Sequence, residues 1–199
     1  MFEAISNSFA QLNIRLVLLS AILFTLGLLL TDFVLERNIR WLISYPNWVY
    51  RKIENWLDQF SSRLLIFSFI LVFNSLNMML GFVSGFLVIV PFILVVWTGL
   101  NIGTILRQSI GEGSFWLIFV NPVSVFELPA AWISFSLGIE MGMIYLTGRP
   151  FQAMVVVFQE RLSVFIWLVL PLLVIAGIIE STMIHFMKKQ MQNEKKKDE

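Results

Sequence analysis

Residues 121–142 read NPVSVFELPAAWISFSLGIEMG, a membrane-length apolar run with a carboxylate, Glu127, set between two prolines, Pro122 and Pro129. A charged group at bilayer depth costs about 2.5–3.5 kcal/mol on insertion scales, so an acid there faces the bundle interior or a water-filled cavity. Glu127 is therefore either a structural polar contact or a proton or cation site. Proline is tolerated in the first turn of a helix and disrupts its interior. The spacing predicts a helix that starts at Pro129, directly after Glu127-Leu128. The carboxylate would then lie beside unpaired N–H groups at the positive end of the helix. Positions 124, 127, 131, 134, 138 and 142 step by three or four and read Ser, Glu, Ala, Ser, Gly, Gly, one small and partly polar face. Transporters build midplane sites from broken helices with a polar group at the break, and such breaks also occur as purely structural features.

Other polar side chains belong with Glu127. Glu180 lies eight residues before Lys188, about 12 Å along a helix at a rise of about 1.5 Å per residue. Glu127 lies twelve residues into its apolar segment, about 18 Å by the same rise. The two acids are expected at similar depth in the same half of the membrane. Arg107 ends the third apolar run and is the basic residue placed to pair with either acid. The alternative is a protonated Glu127 hydrogen-bonded to an amide. Asn74, Asn77, Asn101 and Asn121 lie in or beside the central runs, where amides bond neighbouring helices or cap broken ones. On a solute path, Asn101 and Glu180 would line the way to Glu127.

No catalytic set accompanies these groups. His185 is the one histidine, and it is expected at the membrane interface. Ser124 has no partner base, no His/Glu spacing suits a metal, and no glycine loop suits a phosphate. The chain holds no cysteine, which excludes disulfides, Cys-ligated metals, iron–sulfur clusters and thiol nucleophiles. The expectation is a protein that is not an enzyme and takes no metal and no cofactor. A net charge of +1, with Lys and Arg clustered at a few sites, gives no reason to expect nucleic acid as a partner.

The elements that must position these groups are apolar helices. Hydrophobic residues make up 58 % of the chain and charged ones 14 %, against about 45–50 % and about 25 % in a soluble domain. The mean hydropathy is +0.82. This is the composition of an all-α, polytopic membrane helix bundle. One crossing needs about 20 mostly apolar residues. Residues 14–31, the uncharged stretch 64–106, 115–146 and 164–187 give five crossings. The second and third are joined by a turn near Gly81 and Gly85. The fourth is irregular or broken, and 115–128 is open to a re-entrant path. The first run ends in Thr31-Asp32 without a small-x-small cleavage site and is expected to be retained.

Gly81/Gly85, Gly99/Gly103 and Gly138/Gly142 repeat a four-residue spacing that lets two backbones approach closely. The packing is expected within one chain, or else between copies in a homo-oligomer. Residues 33–63 alternate Trp41, Tyr45, Trp48, Tyr50 and Trp56 with Arg and Lys and contain Pro46. This suits a pair of helices split at Pro46 and lying in the headgroup layer, or, on a sharper reading, a partner-docking surface. With five crossings, eleven Lys and Arg fall on one side, against only Arg15, Arg149 and Arg161 on the other. The bias puts the C-terminus in the cytoplasm. The chain is expected to be one transmembrane domain, 1–187, followed by a disordered cytoplasmic tail, 188–199, whose lysines fix topology and contact anionic lipid.

Pro122 followed by Val125-Phe126-Glu127-Leu128-Pro129-Ala130 resembles the Pro-His-Gly-hydrophobic-Phe-Glu-Leu-Pro-Ala signature of the stage II sporulation protein M family. Gly138 and Gly142 follow it at a similar spacing. Residues 74–103, with Gly81, Gly85 and Asn101, are similar to that family's Asn- and Gly-marked helix pair. LPLLVIAGIIE, residues 170–180, resembles its Pro-Leu-Leu-x-x-Ala-x-x-x-Glu ending. The similarity covers roughly residues 70–182, with one departure: Val123-Ser124 stands where the family has His-Gly. The resemblance implies a multi-pass membrane protein without a known catalytic centre. In spore formers the family member anchors a peptidoglycan-degrading complex in the membrane during engulfment. The function expected is a non-catalytic integral membrane scaffold or assembly subunit that anchors other membrane or envelope proteins. The second reading is a small transporter or channel component with an intramembrane Glu site.

Overall fold

A computed structural model of the chain describes residues 2–60, 62–110 and 116–195. Lipid offers the backbone no hydrogen-bond partner, and a helix satisfies its N–H and C=O groups within one segment. The described residues accordingly form helices joined by short turns, with no strand among them. In chain order these are α1 (Phe2–Ala10), α2 (Ile14–Glu36), α3 (Arg40–Gln59), α4 (Arg63–Val83), a 3-10 turn (Ser84–Leu87), α5 (Val90–Ile110), α6 (Leu117–Val120) and α7 (Ser124–Leu146). α8 (Phe151–Val164) then runs through a π-helical turn (Phe165–Val169) into α9 (Leu170–Lys195). Five of the described stretches are long and apolar enough to cross a membrane: Ile14–Glu36, Arg63–Leu87, Val90–Gln108, Ser124–Leu146 and Phe151–Met191. Hydroxyls within them are satisfied locally. Ser20, Thr25, Thr98 and Thr104 each donate to the carbonyl four residues back, at 2.7–3.0 Å.

α7 is the central span. It packs against α2, α4, α5, α6, α8, α9 and both irregular turns, and most of its residues from Leu128 to Gly142 are buried. The surrounding spans turn Leu18, Ile22, Leu29, Val72, Leu76, Leu80 and Ile93 outward, the faces that meet lipid. Glycines set how closely the helices approach. Gly27 of α2 lies against the backbone of Val96 and Leu100 on α5, and Gly99 of α5 lies against the backbone of Phe24 on α2. Gly103 lies against the Thr31 hydroxyl. On the other flank Gly81 sits under the Phe135 ring, Gly85 against the backbone of Gly138, and Gly142 against the Val88 carbonyl. All three glycine pairs thus pack within the chain. The α4–α5 connection is tight. Val88 takes a φ of 56°, and the Ile89 N–H bonds the Leu87 carbonyl at 2.6 Å, a γ-turn that is strained for a β-branched residue.

The structure corrects three expectations. The break in the fourth segment falls at 121–123, and α7 does not begin at Pro129. The Asn121 side-chain oxygen accepts from the Val123 N–H at 2.9 Å, and the Asn121 carbonyl accepts from the Val125 N–H at 3.1 Å. Asn121 is therefore the residue that starts the helix. Pro129 lies inside α7, where it deprives the Val125 carbonyl of one bond, and packing of α7 on the neighbouring spans holds the helix in place. Second, residues 40–59 form one helix with Pro46 inside it, not two. It is anchored by Trp41 stacked on Trp97 of α5 at 5.7 Å. Third, the last apolar helix begins at Phe151, well before residue 164. α9 continues to Lys195, into the segment read as a disordered tail. Residues 196–199 of that tail and residue 115 of the fourth segment lie outside the described residues.

The close approach of α2 and α5 predicts an asymmetry among glycines. Gly99→Ala puts a methyl into the Phe24 carbonyl and is expected to cost about 1–3 kcal/mol by overpacking. At Gly177 a Cβ meets side chains at ordinary contact distance, the Phe67 ring at 3.4 Å and Ile70 at 3.9 Å, so Gly177→Ala is expected to stay within about 0.5 kcal/mol. Unfolding in detergent titrated with SDS measures both. Equal values would mean that backbone contact does not limit the α2–α5 distance.

Candidate functional site

Asn121 starts α7 so that the first turn carries Ser124 and Glu127 on the face turned toward α4 and α9. Asn74 of α4 donates its side-chain N–H to Glu127 Oε1 at 2.5 Å. Glu127 and Glu180 of α9 line one cavity of about 700 Å³, together with Asn121, Ser124 and Thr98. The rest of its wall is apolar, with Phe24, Met78, Ile102 and Leu128 among its members. Glu180 and Glu127 face the same cavity, and both side chains are half-buried. Among the described residues, Glu180 makes no hydrogen bond and no ion pair. The small face of α7 thus divides along its length. Ser124, Glu127 and Ala131 face the cavity, Ser134 donates to the Met78 carbonyl, and Gly138 and Gly142 press on α4 and the turn that follows it.

The expected pairing of Arg107 with either acid is not what forms. Arg107 Nε lies 3.1 Å from Asp32 Oδ1 on α2, because α5 packs lengthwise on α2 and brings its last turn beside the end of that helix. Asp32 remains 62 % exposed, so this pair contributes little. Among the described residues, no Lys or Arg pairs with Glu127 or Glu180. Asn101 does not join the acids either. Its neighbour Ile102 lines the cavity, while the Asn101 side-chain oxygen is buried without a partner among the described residues. Pro122 lies exposed in the turn between α6 and α7. Of the residues singled out from sequence, the fold brings Glu127 and Glu180 together, with Asn74 as the amide that orients the first.

Two polar contacts escape sequence reasoning. Glu140, the second acid of the 121–142 run, accepts two hydrogen bonds from Arg161 of α8, at 2.9 and 2.7 Å. The side chains are only 18 % and 20 % exposed. The signal was a lone acid deep in one apolar helix and a lone Arg early in the next, which the topology count treats only as a loop charge. At the other end, Lys188 donates to the Leu57 and Phe60 carbonyls at 2.5 and 3.2 Å. A lysine of the last span thereby caps α3, where the helix dipole favours a cation. No group of three or more His, Asp or Glu among the described residues is arranged to hold a metal.

Residues 20–183 match the family model described as stage II sporulation protein M. The chain belongs to that family. No curated protein and no solved structure matches it. The stage II sporulation protein M match begins within α2 and ends within α9, so it takes in Asn74, Glu127, Glu180 and the Glu140–Arg161 pair. It reaches well ahead of residue 70, where the motif resemblance begins, because α2 is the packing partner of α5 and carries few marked residues of its own. Where the family motif has His-Gly, this member has Val123-Ser124, the pair that begins α7. With five apolar spans and this family, the protein is an integral, multi-pass membrane protein.

Removing one partner of a buried ion pair leaves the other charge uncompensated. Arg161→Ala is expected to cost about 3 kcal/mol, at the lower end for buried pairs because each partner keeps about a fifth of its exposure. Replacing Glu140 and Arg161 together with leucine should recover most of the loss. A double-mutant cycle on detergent unfolding checks this, and additive losses would mean that the two are not coupled.

Proposed function

We propose that this stage II sporulation protein M family member is a non-catalytic membrane scaffold, an assembly subunit that anchors other membrane or envelope proteins in a complex. The supporting observation is that the cavity beside Glu127 is one-sided. Its polar members gather where α7 begins, and its wall ends at Phe24, Met78, Thr98 and Ala131, near the middle of their spans. Beyond that floor Ile133, Phe135, Leu137, Ile139 and Met141 of α7 are buried, and Gly138 and Gly142 sit in backbone contact with α4 and its turn. An open channel has to continue to the opposite face, whereas a recess that receives a partner does not. The Asn74–Glu127 bond then holds α4 to α7 and shapes the recess. The side holding the cavity mouth, α3 and the C-terminus is assigned to the cytoplasm, since eleven Lys and Arg lie there against three opposite.

The second reading is a transporter or channel component, and the observation in its favour is Glu180, which lies beside Glu127 in the same cavity and has no ion pair among the described residues. Purification from native membranes in mild detergent separates the two. The scaffold reading expects a near-stoichiometric protein partner, and a clean homo-oligomer with ion or solute flux in liposomes would favour transport. Glu127→Gln keeps an oxygen for Asn74, so it is expected to retain the partner and lose about 1 kcal/mol or less. Loss of flux in a normally folded variant would defeat the scaffold. For the orientation, a tag placed after Glu199 should be protected from outside reagents in intact cells, and labelling there would reverse the assignment.

A further inference from the structure

We infer that the cavity seats a single lysine or arginine side chain carried by an apolar membrane helix of the partner protein. The inference rests on the scaffold reading and names the chemistry of what docks. The cavity wall is apolar apart from a few groups, two of which are the carboxylates of Glu127 and Glu180. Glu127 Oε1 is held by Asn74, while Glu180 has no hydrogen bond or ion pair among the described residues. The chain's own cations nearby are engaged elsewhere. Arg107 pairs with Asp32 on α2, and Lys188 sits on the end of α3 beside Asp58. Among the described residues, no Lys or Arg lines the cavity.

Charge and shape together select the occupant. Acids within a membrane pair with opposite charges or face water; a partner helix that fills the recess displaces that water, and the two acids then call for a cation from the partner. A volume of about 700 Å³ is far larger than one ion needs, since a water molecule takes about 30 Å³. The apolar wall does not replace the hydration shell of a free cation. A lysine or arginine side chain carries an apolar stem with a charged head, and the apolar residues around it on a partner helix match the walls formed by Leu117, Ile118 and Leu128. The amine of a zwitterionic lipid brings its own phosphate, which Glu127 and Glu180 would repel.

The test uses the full chain in phosphatidylcholine vesicles with a photo-crosslinking residue at Val120, an exposed member of the cavity wall. The probes are two leucine-rich helices of about 20 residues, one with a single arginine at the depth of Glu180 and one with leucine there. The arginine probe is expected to crosslink about tenfold more, the scale on which a desolvated charge pair discriminates. Glu180→Gln should bring its yield down to that of the leucine probe. Glu180 has no hydrogen bond or ion pair among the described residues, so this variant is expected to fold normally, with unchanged SDS unfolding. Glu160→Gln, on the exposed side of α8, should change nothing. Equal capture of both probes overturns the inference, and so does a difference that survives Glu180→Gln combined with Glu127→Gln. A difference that disappears when phosphatidylethanolamine replaces phosphatidylcholine assigns the cavity to a lipid amine and also overturns it. Any of these results leaves the scaffold reading standing if a native partner still co-purifies; that reading falls on the absence of a partner or on the flux result, neither of which the probe helices measure.

Discussion

Two apolar helices in a bilayer gain nothing by excluding water from between them, because the surrounding lipid is as apolar as their own side chains. What holds such a bundle is close packing, and here packing comes down to backbone contact at glycine. Gly27 and Gly99 bring α2 and α5 together, and Gly81, Gly85, Gly138 and Gly142 bring α4 and its turn onto α7. With both contacts made, α7 is enclosed by the other spans. Two of the protein's polar contacts depend on that enclosure, since the same helix carries Glu127 at its start and Glu140 toward its end.

Polar contacts then lock the packed helices at different depths. Asn74 ties α4 to Glu127, and Ser134 ties α7 back to the Met78 carbonyl of α4. Arg161 ties α8 to Glu140 near the other end of α7. Lys188 ties α9 to the last carbonyls of α3. The enclosed half of α7 is tightly packed, and the opened half leaves a cavity with two carboxylates. In this member of the stage II sporulation protein M family the two halves of α7 thus differ, one close-packed and one bordering a polar recess. The proposed scaffold role rests on that division.

Much of this was legible from residue type and spacing. The uncharged runs forecast the spans because length and apolarity alone decide whether a helix can cross a membrane. The Phe-Glu-Leu-Pro-Ala stretch pointed to the family, and the four-residue glycine spacing pointed to backbone contact. The similar depth of Glu127 and Glu180 followed from helical rise alone. The start of α7 was misplaced because proline rules describe isolated helices. In the folded chain Asn121 starts the helix ahead of Ser124, well before Pro129, and contacts with neighbouring spans support a helix that lacks one bond at Pro129. Pro46 in α3 carries the same lesson.

The sequence by itself determined that the chain is a membrane-spanning helical bundle, roughly where its spans lie, and which acids lie deep. Composition and helical periodicity are local properties, and they survive without any knowledge of neighbours. Only the tertiary structure decided the partners: Arg107 with Asp32, Arg161 with Glu140, Asn74 with Glu127, and Glu180 with none among the described residues. Which helix lies beside which, and at what rotation, is set by where glycines let backbones meet. A shift of one residue along a helix turns a side chain by about 100°, so pairing between spans is fixed only once the whole bundle has closed.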